Sequence, residues 1–394
     1  MPSYETTPAE TSPIVFAARR PRVLLVAGEA SGDLHAADLI AAMRDLRPDL
    51  EIVGIGGSNA RSRGMETWID IADIATFGLT EVFEKTGVLV RAYRRLRREI
   101  REGRPDLLVL IDFPEFNLAL ARIAKRAGVP VFYYVSPQVW AWRRGRIRKI
   151  LRRIDRLAVL FPFEPAVYGG APQVVFVGHP LLDRVQATAG RTETITRHHL
   201  AADRPLVVLL PGSRPREIER ILPAMAGAAR LLAARRSVQF ALALAPTVDQ
   251  KLVERFLAPA GEVAIPVIEE DTYNLIAASD LVLATSGTVT LETALLERPM
   301  VVMYRSSPMT FWTARMLVDV PAIAMPNLIA GRHIVPELLQ RDVTPEKIAS
   351  EAEAILADPE RARRMSADLR AVRNALGAKG AAGRAARLAI ECMR

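Results

Sequence analysis

Short apolar runs recur along the chain at intervals that leave room for one helix between each pair. In the first half they are RVLLVAG, EIVGIGG, DLLVLIDF, VPVFYYVSP, RLAVLFPF and VVFVGHP; in the second they are PLVVLLPGS, VQFALALAP, VAIPVIE, DLVLATSGT and PMVVMYR. The runs are nearly continuous in Val, Leu and Ile instead of alternating with polar residues, as expected of strands covered on both faces. Alternation with helical patterns then predicts an α/β chain: two Rossmann-like domains, each a parallel sheet, facing one another across a cleft. The expected division is a flexible N-terminus over 1–20, a first domain over 21–181, a connector over 182–204, a second domain over 205–360 and C-terminal helices over 361–394 that pack back on the body. The connector follows from LLDRVQATAGRTETITRHHLAADRP, which has no strand pattern and room for one helical segment. Beyond it, Thr344 and Pro345 read as a helix cap and first residue, and Asp358-Pro359 as a break between helices.

Composition narrows the function classes. The 394 residues are 50% hydrophobic and 25% charged, enough for two sizeable cores. The polar first residues lack the basic-then-apolar order of a signal peptide, and no uncharged apolar run is long enough to span a bilayer, so the cytoplasm is expected. One cysteine and five scattered histidines give no disulfide framework and no expected metal or cofactor centre. The net charge of +9 is concentrated in RAYRRLRREIREGR (Arg91 to Arg104) and WRRGRIRKILRRIDR (Trp142 to Arg156). Nucleic acid, anionic lipid headgroups and phosphorylated metabolites all suit such segments, as does a merely solvated helix face.

In open parallel sheets ligands sit beyond the carboxyl ends of the strands, which directs attention to the residues just after each run. The first such turn, AGEASGD, carries Gly28 and Gly32 but fits neither the dinucleotide nor the P-loop spacing. Glu29 and Asp33 would repel a phosphate, so the turn of Glu29, Ser31, Gly32 and Asp33 is expected to favour hydroxyls, or simply to cap the following helix. The second half differs. Gly212, Ser213 and Arg214 stand between a strand and a helix and offer amides, a hydroxyl and a permanent cation; Ser286, Gly287 and Thr288 do the same before a helix bearing Glu292, which is placed to reach ribose hydroxyls. Together they point to a nucleotide diphosphate. No D-x-D pair is present to hold a divalent ion there. Glu269, Glu270 and Asp271 read as a solvated loop that caps the helix at 273–278.

In the first half Asp112 ends the strand of LLVLIDFPEFN, where partial desolvation would raise its pKa toward that of a general base; the alternative is a helix cap, with Asn117 assisting. Gln138, Trp140, Trp142 and Arg143 follow the next strand, and the tryptophans suit either stacking on a sugar or core packing. A helix expected from about Thr80 turns Val82, Leu89, Tyr93, Leu96 and Ile100 inward. That leaves Phe77, Leu79, Phe83 and Val88 for an apolar patch beside the arginines, as on an anionic bilayer, unless the whole helix is buried.

AGEASGD, DFPEFN, SPQVWAWR, VGHPL, PGSR with REI, TSGTVTLE and MPNLIAGRHIVPELLQ occur in this order from about Arg22 to Gln340. Taken together these motifs resemble the lipid-A-disaccharide synthase family. The resemblance implies an inverting, metal-independent glycosyltransferase of the GT-B class without a cofactor. It would join UDP-2,3-diacylglucosamine to 2,3-diacylglucosamine 1-phosphate (lipid X), releasing UDP and lipid A disaccharide 1-phosphate, as in the lipopolysaccharide biosynthesis of Gram-negative bacteria. It further implies Asp112 as base, Arg214 with residues 286–288 on the leaving diphosphate, Glu292 on the ribose and Asn327 on the nucleotide side. Glu29, Ser31, Gly32, Asp33, Asn117, Gln138, Trp140 and Arg143 fall on the acceptor side. Peripheral attachment to the inner face of the inner membrane is implied as well, with monomer and homodimer both open. Another UDP-sugar enzyme, such as a UDP-N-acetylglucosamine 2-epimerase, is the alternative; nucleic-acid binding would leave Asp112 and the glycine turns without a purpose.

Overall fold

The computed structural model describes residues 20–75, 82–140, 144–306 and 322–393. Two wholly parallel sheets organise them. The first contains β1 (Arg22–Ala27), β2 (Glu51–Gly56), β3 (Glu66–Asp70), β4 (Leu107–Ile111), β5 (Val131–Tyr134), β6 (Arg156–Val159) and β7 (Val174–Phe176), in the order β3-β2-β1-β4-β5-β6-β7. The second contains β8 (Leu206–Leu210), β9 (Gln239–Ala243), β10 (Val267–Ile268), β11 (Leu281–Thr285), β12 (Met300–Tyr304) and β13 (Glu337–Leu339), in the order β10-β9-β8-β11-β12-β13. The expected fold class is therefore the observed one.

Both faces of each central strand are buried, which explains the unbroken apolar runs. In the first domain Leu24, Val26, Leu108, Leu110 and Tyr133 pack toward the helices Val82–Arg98 and Pro114–Ala127. Val23, Leu25, Val109, Phe132 and Tyr134 point the other way, into a cluster that includes Ala36, Leu39 and Met43 of the helix Ala30–Leu46 and Ala385, Ala386 and Ala389 of Ala381–Cys392. The last helix thus returns to the first domain. The helix before it, Pro359–Ala375, packs on the second domain against Thr288–Leu295 and Met325–Ala330.

The segment between the domains holds two short helices, Leu181–Arg184 and Arg191–Arg197, where the sequence suggests one. Leu181, Leu182 and Val185 share a small apolar cluster with Leu291, Leu295 and Leu376, against which Phe161 of the first domain and Tyr273 of the second also pack.

Strands β3 and β13 do not stand out as apolar runs. Both are edge strands with partly exposed positions, and neither needs a continuous apolar sequence. In the run VAIPVIE only Val267 and Ile268 pair, because Pro266 has no amide to add to a ladder.

In each sheet the strand order reverses between the two central strands: β1 beside β4 in the first, β8 beside β11 in the second. At these switch points neighbouring strands send their following loops to opposite faces and leave a crevice at their carboxyl ends. Alignment of Ala27 with Ile111 brings Gly28–Glu29 next to Asp112–Phe113; alignment of Leu210 with Ala284 brings Gly212–Arg214 next to Ser286–Thr288.

Close packing of β1 on β2 depends on one glycine. Gly54 has φ +142° at a register shift on its β3 side, and a Cβ there would stand 2.0 Å from the Leu25 carbonyl oxygen. Substitution Gly54→Ala is expected to cost roughly 2–4 kcal/mol, measured by urea unfolding, because both the backbone conformation and the space oppose it.

Candidate active site

The crevice at the carboxyl ends of β1 and β4 is built on strained backbone. Asp112 and Phe113 both lie in the left-handed region (φ 46° and 48°), and so does Val135 at the end of β5 (φ 65°). Such conformations cost about 1–3 kcal/mol each for residues other than glycine, so surrounding groups must hold them. The Tyr133 hydroxyl donates to the Asp112 carbonyl at 2.6 Å, and Asn117 Nδ2 donates to the same oxygen at 2.7 Å and to the Ile111 carbonyl at 3.2 Å. Gly28 lets the Phe113 ring lie against the first turn, since a Cβ there would stand 2.4 Å from two ring carbons. The result aims the Asp112 carboxyl into the crevice beside Glu29. Burial pushes its pKa up to about 6, the negative Glu29 adds to the rise, and the Phe113 amide offsets part of it.

Several residues expected on the acceptor side are committed elsewhere. Ser31, Gly32 and Asp33 form the first turn of the helix Ala30–Leu46, which begins immediately after Glu29. Asp33 is buried, and its carboxylate accepts from the Gly57, Asn59 and Ala60 amides (2.6, 3.0 and 3.2 Å) and from Asn59 Nδ2 (3.0 Å). It therefore caps the short helix Ser58–Ser62 and is not free to take an acceptor hydroxyl. Gly32 is buried against Ala27 and Ile111. Asn117 supports the Asp112 carbonyl from a buried position and lines no crevice. Trp140 is 8% exposed and packs edge-on against Phe163, so it does not present a stacking face. Glu29, Ser31 and Gln138 are exposed, while Arg143 lies outside the described residues.

Of the apolar patch, Phe77, Leu79 and the Phe83 side chain lie outside the described residues. Val88 is half-buried and packs against the first-domain core, together with Leu89 and Tyr93, which corrects its assignment to the outer face.

At the second switch point a cavity of about 700 Å³ gathers Gly212, Ser213, Arg214, Ser286, Gly287, Thr288 and Glu292. Two helices, Pro215–Arg235 and Thr288–Leu295, start there without a side-chain cap, so their free amides and positive dipole ends face the cavity. Gly212 has φ +110°, and a Cβ there would crowd Glu217, whose carboxylate receives Arg214 at 3.1 Å. The Arg214 side chain is 80% exposed, leaving most of its donors available to an anion. Glu292 accepts from the Tyr273 hydroxyl at 3.3 Å; burial raises the Glu292 pKa, and burial together with the Glu292 charge pushes the Tyr273 phenol to about 12.

Tyr273, Thr188 and Asn274 also line this cavity and were not foreseen. Asn274 Oδ1 accepts from the Thr188 and Ala189 amides at 2.7 and 3.0 Å and so ties the connector to the cavity wall. Asp271 is no simple helix cap: it receives His198 at 2.6 Å, Arg197 at 3.3 Å and Asn274 at 2.5 Å. Asn327 is likewise corrected. It is 1% exposed, donates to Glu337 and the Val335 carbonyl, and accepts from the Ile334 and Val335 amides, which makes it the internal brace of the segment leading to β13.

Residues 23–390 match the family model described as lipid-A-disaccharide synthetase. The chain belongs to that family. It is similar to the lipid-A-disaccharide synthases of Syntrophus aciditrophicus (46% identical over 94% of this chain and 98% of that protein) and Geobacter metallireducens (44%, 94% and 97%). Among solved structures, the UDP-GlcNAc 2-epimerase of Neisseria meningitidis bound to UDP-GlcNAc shares the fold, with a TM-score of 0.60 at 13% identity over 94% of this chain and 98% of that one. Family membership makes the activity a hexosyl transfer: UDP-2,3-diacylglucosamine and 2,3-diacylglucosamine 1-phosphate are condensed to the lipid A disaccharide 1-phosphate with release of UDP. The synthase family thus decides for transfer over epimerisation, which the shared fold alone does not.

The raised Asp112 pKa has a consequence for stability. The folded chain holds this proton more tightly than the unfolded chain, so the stabilisation is fully present below the unfolded pKa, about pH 4, and is lost as pH rises through about 6. Asp112→Asn should therefore gain on the parent by roughly 1–2 kcal/mol between about pH 4 and pH 6, after discounting for partial exposure. Urea melts across that range check it; a pH-independent difference would mean that Asp112 does not titrate there.

Proposed function

We propose that Asp112 is the general base of the transfer and that the second-domain cavity binds the UDP of the donor. The carboxylate of Asp112 removes the proton of the acceptor 6-hydroxyl as that oxygen attacks the anomeric carbon. The bond from the anomeric carbon to the diphosphate oxygen breaks, its electron pair leaves with UDP, and the single displacement inverts the configuration. The departing diphosphate is stabilised by Arg214, by the amides at 212–213 and 287–288 and by the hydroxyls of Ser213, Ser286 and Thr288, where two helix dipoles converge. Glu292, braced by Tyr273, accepts from the ribose hydroxyls.

The observation that carries this assignment is the pairing of unlike sites at the two switch points. One holds a carboxyl with its pKa lifted to about 6. The other holds an exposed guanidinium and two uncapped helix starts. The partly desolvated carboxyl of the first site suits proton removal, and the exposed guanidinium and helix starts of the second suit a diphosphate. Lipid-bearing substrates favour work at a membrane surface, and we assign the chain to the inner face of the inner membrane as a peripheral protein. The net charge of +9 supports an anionic surface there. Among the described residues no helix is long and apolar enough to cross a membrane.

The test is UDP release by the purified protein from UDP-2,3-diacylglucosamine in detergent with EDTA, with and without lipid X. Release that requires lipid X and persists in EDTA is expected. Release that EDTA abolishes would hand the leaving-group role to a metal ion instead of Arg214.

A further inference from the structure

Glu164 carries a carboxyl that the transfer mechanism does not use. It is 2% exposed and opens the short helix Glu164–Val167 of the first domain. Its Oε2 accepts from the Leu160 and Phe161 amides, just past β6, at 3.0 and 2.9 Å. Burial pushes its pKa up to about 7, and the Phe161 and Leu160 amides and the Ser136 hydroxyl offset part of the rise. A carboxyl held this far from water is costly unless its remaining hydrogen bonds are made.

Those bonds lead to the turn after β5. Alignment of Ile111 with Tyr134 sets Val135 and Ser136 beside Asp112 and Phe113, and the Asp112 amide donates to the Tyr134 carbonyl at 3.3 Å. Ser136 is buried; its hydroxyl donates to the Pro137 carbonyl at 2.9 Å and meets the Tyr168 hydroxyl at 2.7 Å. A serine hydroxyl has one proton and two lone pairs. With its proton on Pro137, Tyr168 is the donor of the second bond, and a protonated Glu164 completes the set.

The Pro137 carbonyl also accepts from the Val139 amide at 2.6 Å, which closes a three-residue turn with Gln138 at its centre. Trp140, one residue further, packs edge-on against Phe163, the neighbour of Glu164. Ser136, Pro137, Val139 and Trp140 are buried, and Gln138 alone among these five is exposed. A turn anchored on both sides thus presents one carboxamide at the carboxyl edge of the sheet, on the strand next to that of Asp112. A carboxamide both donates and accepts, as a sugar hydroxyl does.

We propose that Gln138 hydrogen-bonds a hydroxyl of the acceptor sugar, and that Glu164 is a positioning residue that holds Gln138 in place through Ser136 and the Pro137 carbonyl. The proposal rests on the reading of the first-domain crevice as the acceptor site and adds the group that orients the sugar there.

The test is steady-state kinetics in detergent with lipid X as the varied substrate, together with UDP affinity by calorimetry, for Ser136→Ala, Gln138→Ala and the double variant. Each single change should raise the KM for lipid X roughly 10-fold, the loss of about one substrate hydrogen bond, and leave UDP affinity at the parent's value. The double variant should be no worse than Gln138→Ala, because Ser136 acts only through Gln138. Glu164→Ala should resemble Ser136→Ala. Glu164→Gln keeps an oxygen for the two amides and a donor for Ser136, and should recover most of that loss. An unchanged KM in Gln138→Ala would overturn the proposal, as would a double variant whose loss is the product of the singles, on the order of 100-fold. Glu164→Gln as damaging as Glu164→Ala would remove Glu164 from the positioning role. Should Glu164→Ala fail to fold, the Ser136 and Gln138 pair carries the comparison. Asp112→Asn separates the two readings: retained turnover there would sink the acceptor-site reading, whereas lost turnover with an unchanged KM in Gln138→Ala would sink the role of Gln138 alone.

Discussion

The arrangement depends on the burial of two pairs of neighbouring strands, β1 with β4 and β8 with β11. Their side chains are covered on both faces and their backbone groups are paired on both edges, so polar chemistry is excluded along their length and confined to their carboxyl ends. The register of each pair then decides which residues meet. Shifting β4 by one position against β1 would exchange its two faces and carry Asp112 away from Gly28 and Glu29. The site is therefore as rigid as the cores beneath it.

Confinement has a local cost, met differently in the two domains. In the first, consecutive residues in the left-handed region are held by Tyr133 and Asn117 through the Asp112 carbonyl and by the Phe113 ring over Gly28. Fixing the main chain aims a carboxyl into a partly desolvated crevice, and burial outweighs the Phe113 amide to keep its pKa high. In the second domain the same topology leaves helix starts open and supplies Gly212 where the chain must turn tightly. The two crevices share one construction, and the groups set at their mouths give them different chemistry: a partly desolvated carboxyl in the first, an exposed guanidinium and open helix starts in the second.

Much of this was legible in the sequence because buried parallel strands leave an apolar signature, and because the residues just past them are exposed at the carboxyl edge of the sheet. Asp112 and the turns at 212–214 and 286–288 were found by that logic. Asp33, Asn117 and Asn327 sat inside recognisable motifs yet serve the scaffold. Their partners lie up to 27 residues away in Asp33 and depend on how helices and loops pack, which no local spacing encodes. Trp140 was ambiguous because an indole suits a core as well as a sugar face. Tyr273 and Asn274 could have been anticipated: they follow β10 at the same carboxyl edge, but the acidic residues before them read as an ordinary loop.

The most direct measurement is of Asp112→Asn under two readouts, UDP affinity by calorimetry and turnover of the diacylglucosamine substrates in detergent. The account predicts UDP affinity close to the parent's with turnover reduced by a factor on the order of 100 or more, since the base is removed and the nucleotide cavity is untouched. Retained turnover, or UDP affinity lost along with it, would contradict the division of labour between the two switch points.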